Sequence, residues 1–159
     1  MDAVIVVATV NEVSLVKQLG YENFPIVITG VGAINVISTL KSFPRNTHII
    51  NIGYAGSNNI EVGRQVAISV VKTLHEKVDF NEDSKYCIIP NKGYTDIAPC
   101  YTSTDFVTNT KIKEDCVFDM ELAFICSMFD TVRSIKVISD NLNVNQYEKT
   151  ILGENNNEK

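Results

Sequence analysis

Two glycine-bearing segments and three well-separated carboxylates are the residues of this chain whose types and spacing suit chemistry. Gly30-Val31-Gly32-Ala33-Ile34-Asn35 leaves an apolar run and opens a helical pattern. Backbone N–H groups at such a junction can hold an anion or a polar ligand. A tight strand-to-helix turn uses the same residues, and as a dinucleotide fingerprint the segment fails, because Asn35 occupies the third glycine position. Gly53-Tyr54-Ala55-Gly56 divides the same way, between a turn that needs small residues and a binding segment. Glu12, one residue into a helical pattern, either compensates a helix dipole or does chemistry. Asp140, after Ile138-Ser139, either caps a helix or does chemistry, and Glu121 falls in a helical pattern where a carboxylate ordinarily faces solvent.

Metal and redox chemistry find less support. The four cysteines (Cys87, Cys100, Cys116, Cys126) show no C-x-x-C spacing, and His48 and His75 are the only histidines, so no zinc site is expected. Each cysteine lies in or beside an apolar run and reads as a buried, reduced thiol.

These groups have to be positioned by a core, and the composition provides one. The chain has 159 residues, 45% hydrophobic and 21% charged, which suits one folded domain and excludes a disordered or fibrous chain. A net charge of −5, with 14 scattered lysines and arginines, argues against a nucleic-acid partner. The apolar N-terminal run lacks a basic flank and is too short for a signal or membrane segment, so a cytoplasmic protein with no membrane partner is expected.

Short β-branched runs at residues 4–8, 25–29 and 48–52 read as strands. Asn11 is positioned to cap a helix that Gly20 ends, and Ala33–Leu40 continues helically after the Gly30 segment. Further strands are expected at 64–72, near 87–89, at 100–103 and at 133–139, with a helix over 119–129 and a loop over most of 73–99. The alternation predicts a single-domain, three-layer α/β/α fold with a central mixed, mostly parallel sheet. It would span residues 1–152, with 153–159 as a frayed polar tail. In an open sheet of this kind, ligands bind beyond the carboxyl ends of the strands, where the glycines and carboxylates fall.

The order of these segments carries more than any one of them. Ala8-Thr9-Val10-Asn11-Glu12-Val13, Thr29-Gly30-Val31-Gly32-Ala33-Ile34-Asn35 and Asn51-Ile52-Gly53-Tyr54-Ala55-Gly56 are followed by Val62-Gly63-Arg64-Gln65-Val66 and Thr102-Ser103-Thr104-Asp105-Phe106-Val107. Phe118-Asp119-Met120-Glu121-Leu122-Ala123 and Val137-Ile138-Ser139-Asp140 complete the set. Together they resemble the purine nucleoside phosphorylase and nucleosidase superfamily, most of all the 5′-methylthioadenosine/S-adenosylhomocysteine nucleosidases, in a shortened form. Tyr54 replaces a serine usual in that family, and Lys136 replaces an arginine.

The resemblance implies an N-ribosyl hydrolase that releases a free base from a purine nucleoside or a 5′-thioadenosine derivative. By likeness, Asp140 protonates the purine at N7, Glu12 orients or deprotonates the attacking water, and Glu121 accepts hydrogen bonds from the ribose hydroxyls. Met120 packs on the sugar, and Phe106 with the Val107 backbone holds the base. Gly32, Tyr54, Ser103 and Ser139 complete the substrate-binding set. No cofactor is implied, the partner is a small-molecule purine nucleoside, and the assembly implied is a homodimer.

The sequence is compatible with two other functions. A phosphorylase needs arginine forks or amides for phosphate. The hexameric phosphorylases of the superfamily place a Gly-Asp-Pro-x-Arg turn after the first strand, and an Arg and a Ser around the third-strand glycine. Here those positions hold Thr9-Val10-Asn11-Glu12, Asn51 and Tyr54, which favours water as the nucleophile. A reduced, non-catalytic nucleoside-binding relative is the third reading; retention of Glu12, Glu121 and Asp140 together counts against it.

Overall fold

A computed structural model describes residues 3–74 and 85–156, and side chains as far as residue 151. His75 lies outside the described residues, as does the end of the polar tail.

Strand β1 (Ala3–Val7) is buried along its whole length, as its unbroken Val/Ile run requires. A 3₁₀ turn (Val10–Glu12) leads into α1 (Val13–Gln18), and β2 (Ile26–Ile28) and α2 (Ala33–Leu40) follow. Next come β3 (His48–Ser57), β4 (Gln65–Thr73), β5 (Tyr86–Cys87), β6 (Ile97–Thr102) and β7 (Val117–Asp119). Helix α3 (Leu122–Met128), β8 (Thr131–Asp140) and α4 (Val144–Asn156) close the chain.

The sheet runs β2-β1-β3-β7-β6-β4-β5, with β8 pairing both β3 and β4. Parallel pairs (β1 with β2 and β3, β3 with β8, β4 with β6, β6 with β7) coexist with antiparallel ones (β3 with β7, β4 with β5 and β8), so the sheet is mixed. The double pairing of β8 corrects the expectation of an open sheet. Strands β3, β7, β6, β4 and β8 form a closed ring, from which β1 and β2 extend.

Alternate residues of β1 enter two apolar clusters. Val4 and Val6 pack with Val36 and Leu40 of α2 and with Leu122 and Ile125 of α3. Ala3, Ile5 and Val7 pack with Leu15 and Val16 of α1 and with Ile151 of α4. The period-two alternation of the strand thus sets which helices lie on which side.

Several element boundaries differ from those read in the sequence. Gly53-Tyr54-Ala55-Gly56 is not a turn: β8 pairs alongside it, and β3 runs through to Ser57. Residues 117–119 are strand rather than the approach to a helix, so α3 begins only at Leu122. Strand β6 starts at Ile97 and includes Pro99, whose missing N–H falls where the register with β4 shifts. Cys100, Cys116 and Cys126 are buried free thiols, but Cys87 is exposed because β5 is a two-residue strand at the sheet edge. Among the described residues no helix is long and apolar enough to cross a membrane, and no cluster of His, Cys, Asp and Glu could hold a metal.

Candidate active site

Glu12 leaves the 3₁₀ turn after β1 and is buried. Its Oε1 accepts hydrogen bonds from the N–H groups of Ala8 (2.8 Å) and Thr9 (3.2 Å), and its Oε2 from that of Tyr54 (2.7 Å). Burial pushes the carboxyl above its ordinary range, while Lys136 and those three N–H groups pull the other way. Gly53 makes this seat possible, since a Cβ there would stand 2.6 Å from Glu12 Oε2. What Tyr54 gives the carboxylate is its backbone N–H; its ring lies in the apolar cluster with Leu15 and Val16.

Glu121 is placed by the short link between β7 and α3 and is also buried. Its Oε2 accepts from the N–H of Gly32 at 3.1 Å. Gly32 sits at the N-cap of α2 with φ +89°, a conformation that favours glycine. The Gly30 segment therefore gives an amide to a carboxylate of the protein itself. Burial first, and then Asp119, raise the Glu121 carboxyl to about 7, against the opposing pull of Lys136 and the Gly32 amide.

Asp140 ends β8 and is fully buried. The Ser139 hydroxyl donates to its Oδ1 (2.6 Å), and the N–H groups of Leu142 (3.0 Å) and Asn143 (3.2 Å) donate to its Oδ2. Leu142 adopts φ +64°, a left-handed conformation uncommon outside glycine, which lets both amides turn onto the carboxylate. A Cβ at Gly56 would come within 3.0 Å of Asp140 Oδ2. The two glycines of β3 thus lie against the two carboxylates that their neighbouring segments deliver.

An open cleft of about 240 Å³ lies beside Asp140, with Gly56, Phe106, Val107, Phe118 and Met120 among its walls. Four expected residues, Asp140, Phe106, Val107 and Met120, meet there. Glu12 and Glu121 do not line it: Glu12 is bonded to the Tyr54 N–H, two residues before Gly56, and Glu121 follows Met120 in the chain. Ser103 shapes the loop below Phe106, its hydroxyl accepting from the Asp105 N–H at 3.1 Å.

One pair was missed in the sequence. Lys136 on β8 and Asp119 on β7 are both buried, with Nζ and Oδ2 3.1 Å apart. Asp119 also accepts from Thr102 Oγ1 (2.5 Å), Cys100 Sγ (3.3 Å) and the Leu122 N–H (2.8 Å), which anchors the start of α3 beside Glu121. Burial pulls the Lys136 ammonium down, but Asp119, Cys100, Glu121 and Glu12 outweigh it and hold it above the usual lysine range. A residue 17 positions from its partner, on another strand, leaves no local signal in the sequence.

No protein-family model matches the chain, and no curated protein matches it. Solved structures do. An MTAN of Chlamydia trachomatis bound to adenine superimposes with a TM-score of 0.75 at 20% identity, over 98% of this chain and 89% of that one. The chain has the nucleosidase fold. The 5′-methylthioadenosine/S-adenosylhomocysteine nucleosidase of Neisseria meningitidis, in complex with methylthio-immucillin-A, gives 0.72 at 14% identity over 94% and 91%. A futalosine hydrolase mutant of Helicobacter pylori gives 0.70 at 14% over 97% and 93%. The chain therefore fills most of the nucleosidase fold.

Proposed function

We propose that the protein is an N-ribosyl hydrolase that cleaves a purine nucleoside, or a 5′-thioadenosine derivative, to free base and sugar. The observation that carries this reading is that buried Asp140 lines a cleft with an aromatic wall, while buried Glu12 and Glu121, from two other segments, lie near enough to act with it on Tyr147. Taking a carboxylate out of water is costly, amide and hydroxyl donors offset that cost here, and buried ionisable groups of this kind concentrate at functional sites.

In this reading the purine sits against Phe106 and the Val107 backbone. Asp140 delivers a proton to N7, so that the bond from the anomeric carbon to the base breaks with its electron pair leaving on the purine. The sugar then carries oxocarbenium character, as in other glycoside hydrolyses. Glu121 accepts hydrogen bonds from the ribose hydroxyls, with Met120 packed on the sugar. Glu12 takes a proton from the water that adds to the anomeric carbon. Gly32 and Tyr54 hold the carboxylates through their amides, and Ser139 and Ser103 brace Asp140 and the base loop.

Water rather than phosphate is favoured as nucleophile by the cations. Arg45 and Arg64 are in exposed ion pairs with Asp130 and Asp96. Lys136 is engaged by Asp119, and the Asn51 side chain bonds to the Val6 carbonyl and Ser134. A phosphate dianion beside Glu12 would meet a negative field.

We further read the chain as a three-layer, mostly parallel domain over residues 1–152, with Ile151 as its last described core side chain and 153–159 as a polar tail. Two copies associate through an apolar patch at Val10, Val31, Ile34 and Ile37, where Ile34 is 81% exposed. Three buried free thiols accord with a cytoplasmic setting.

The test is chromatographic detection of base released from a panel of purine nucleosides and 5′-thio derivatives, with and without phosphate, beside Asp140→Asn. Phosphate-independent release that is lost in the variant is expected. Release only with phosphate, or binding without cleavage, overturns the hydrolase reading.

A further inference from the structure

Tyr147, on α4, is absent from the residues that the sequence singled out, yet its ring touches Phe106, a wall of the cleft. Helix α4 is tied down close to Asp140. The Gln146 N–H is capped by Asn143 Oδ1 (2.9 Å), Thr150 Oγ1 donates to the Ser139 carbonyl (2.7 Å), and Ile151 is buried in the cluster beneath. Spacings of three and four residues put Tyr147 on the same helix face as Thr150 and Ile151. Its ring packs against the cluster that includes Tyr54 and Val13, on the Glu12 side. It also meets Phe106 edge-on, with ring centroids 5.4 Å apart, on the cleft side. Among the described residues its hydroxyl has no hydrogen-bond partner.

We propose that Tyr147 is the specificity-determining residue for the sugar end of the substrate, its hydroxyl donating a hydrogen bond to a 5′-oxygen. This rests on the hydrolase reading above. There Asp140 serves the base, Glu12 the anomeric carbon and Glu121 the 2′ and 3′ hydroxyls, so the 5′ substituent is the group on the sugar still unassigned. A tyrosine phenol is protonated at neutral pH and can donate there; burial, with Glu12, Glu121 and Asp140, moves it further in that direction. A 5′-hydroxyl or other oxygen is a good acceptor for it, whereas a thioether sulfur is a weak one. The site therefore prefers nucleosides with an oxygen at C5′ over 5′-alkylthio nucleosides.

The experiment uses two non-cleavable purine analogues whose base and sugar are joined by a carbon–carbon bond, one with a 5′-hydroxyl and one with a 5′-methylthio group. Calorimetric binding of each is measured with the wild type and with Tyr147→Phe, which keeps the ring and its contact with Phe106. The wild type is expected to favour the hydroxyl analogue, and the variant to lose about three- to tenfold of that ratio, the worth of one neutral hydrogen bond. A ratio unmoved by the substitution, or a wild type that favours the methylthio analogue, overturns the proposal. Binding of neither analogue overturns it together with the hydrolase reading. The 5′ ratio is read from binding alone, so failure to cleave ordinary nucleosides sinks only the hydrolase reading.

Discussion

Oε2 of Glu12 occupies the space in which a side chain on residue 53 would begin, 2.6 Å from the position of a Cβ on Gly53. The carboxylate cannot easily yield, because three backbone amides from Ala8, Thr9 and Tyr54 fix its two oxygens. The glycine is thus required by contact rather than by its backbone angle. Gly53→Ala is expected to displace Glu12 and lower kcat about 10²–10⁴-fold, the usual worth of a positioned general base. Steady-state kinetics with a thermal melt checks this; an unchanged kcat would remove Glu12 from the chemistry.

Glu121 makes stability depend on pH. Its carboxyl lies at about 7 in the folded chain against an ordinary 4.5, so the folded state binds that proton more tightly than the unfolded one. Its favourable contribution is complete below about pH 4.5 and is lost as the pH rises through about 7. Glu12, also raised, acts with the same sign. Glu121→Gln should flatten this part of the profile, and urea titrations at about pH 5 and about pH 8 would show the wild type losing more stability than the variant across that interval.

Lys136→Met would leave Asp119 as an uncompensated buried charge. A loss of about 3–5 kcal/mol is expected from breaking such a pair. The double variant Asp119→Asn with Lys136→Met should lose less than the sum of the two single changes, as coupled partners do. Chemical denaturation of all four proteins measures the coupling, and strict additivity would show that the ion pair does not act as a unit.

Ile34→Glu would place a charge in the middle of the exposed patch on α2. It should convert a dimer to monomers with little change in thermal stability of the single chain, read by light scattering at several concentrations. A wild type that is monomeric throughout refutes the proposed association.

The α/β elements were legible wherever apolar runs were long. Residues 4–8, Ala33–Leu40 and the β4 and β8 regions sit close to where their hydrophobic patterns place them. The reading went astray where local chemistry and long-range pairing disagree. Gly53 and Gly56 carry every local mark of a turn, yet β8 pairs with that segment and holds it extended. Three-residue β7 is too short to show a period, and Pro99 in β6 punctuates a segment that tertiary pairing overrides.

The sequence by itself determined the α/β class, and the resemblance of its ordered motifs pointed to Glu12, Glu121, Asp140 and Phe106 as candidates. The class depends on periodicities of two and 3.6, and the resemblance on residue types in order along the chain, both of which are local properties. Only the tertiary structure decided that the strands close into a ring, that Gly32 and Tyr54 serve the carboxylates through their amides, that Lys136 pairs with Asp119, and that Tyr147 reaches Phe106. Each of those joins residues far apart in the chain by contacts of a few ångströms, and their geometry is fixed by packing rather than by any neighbouring residue.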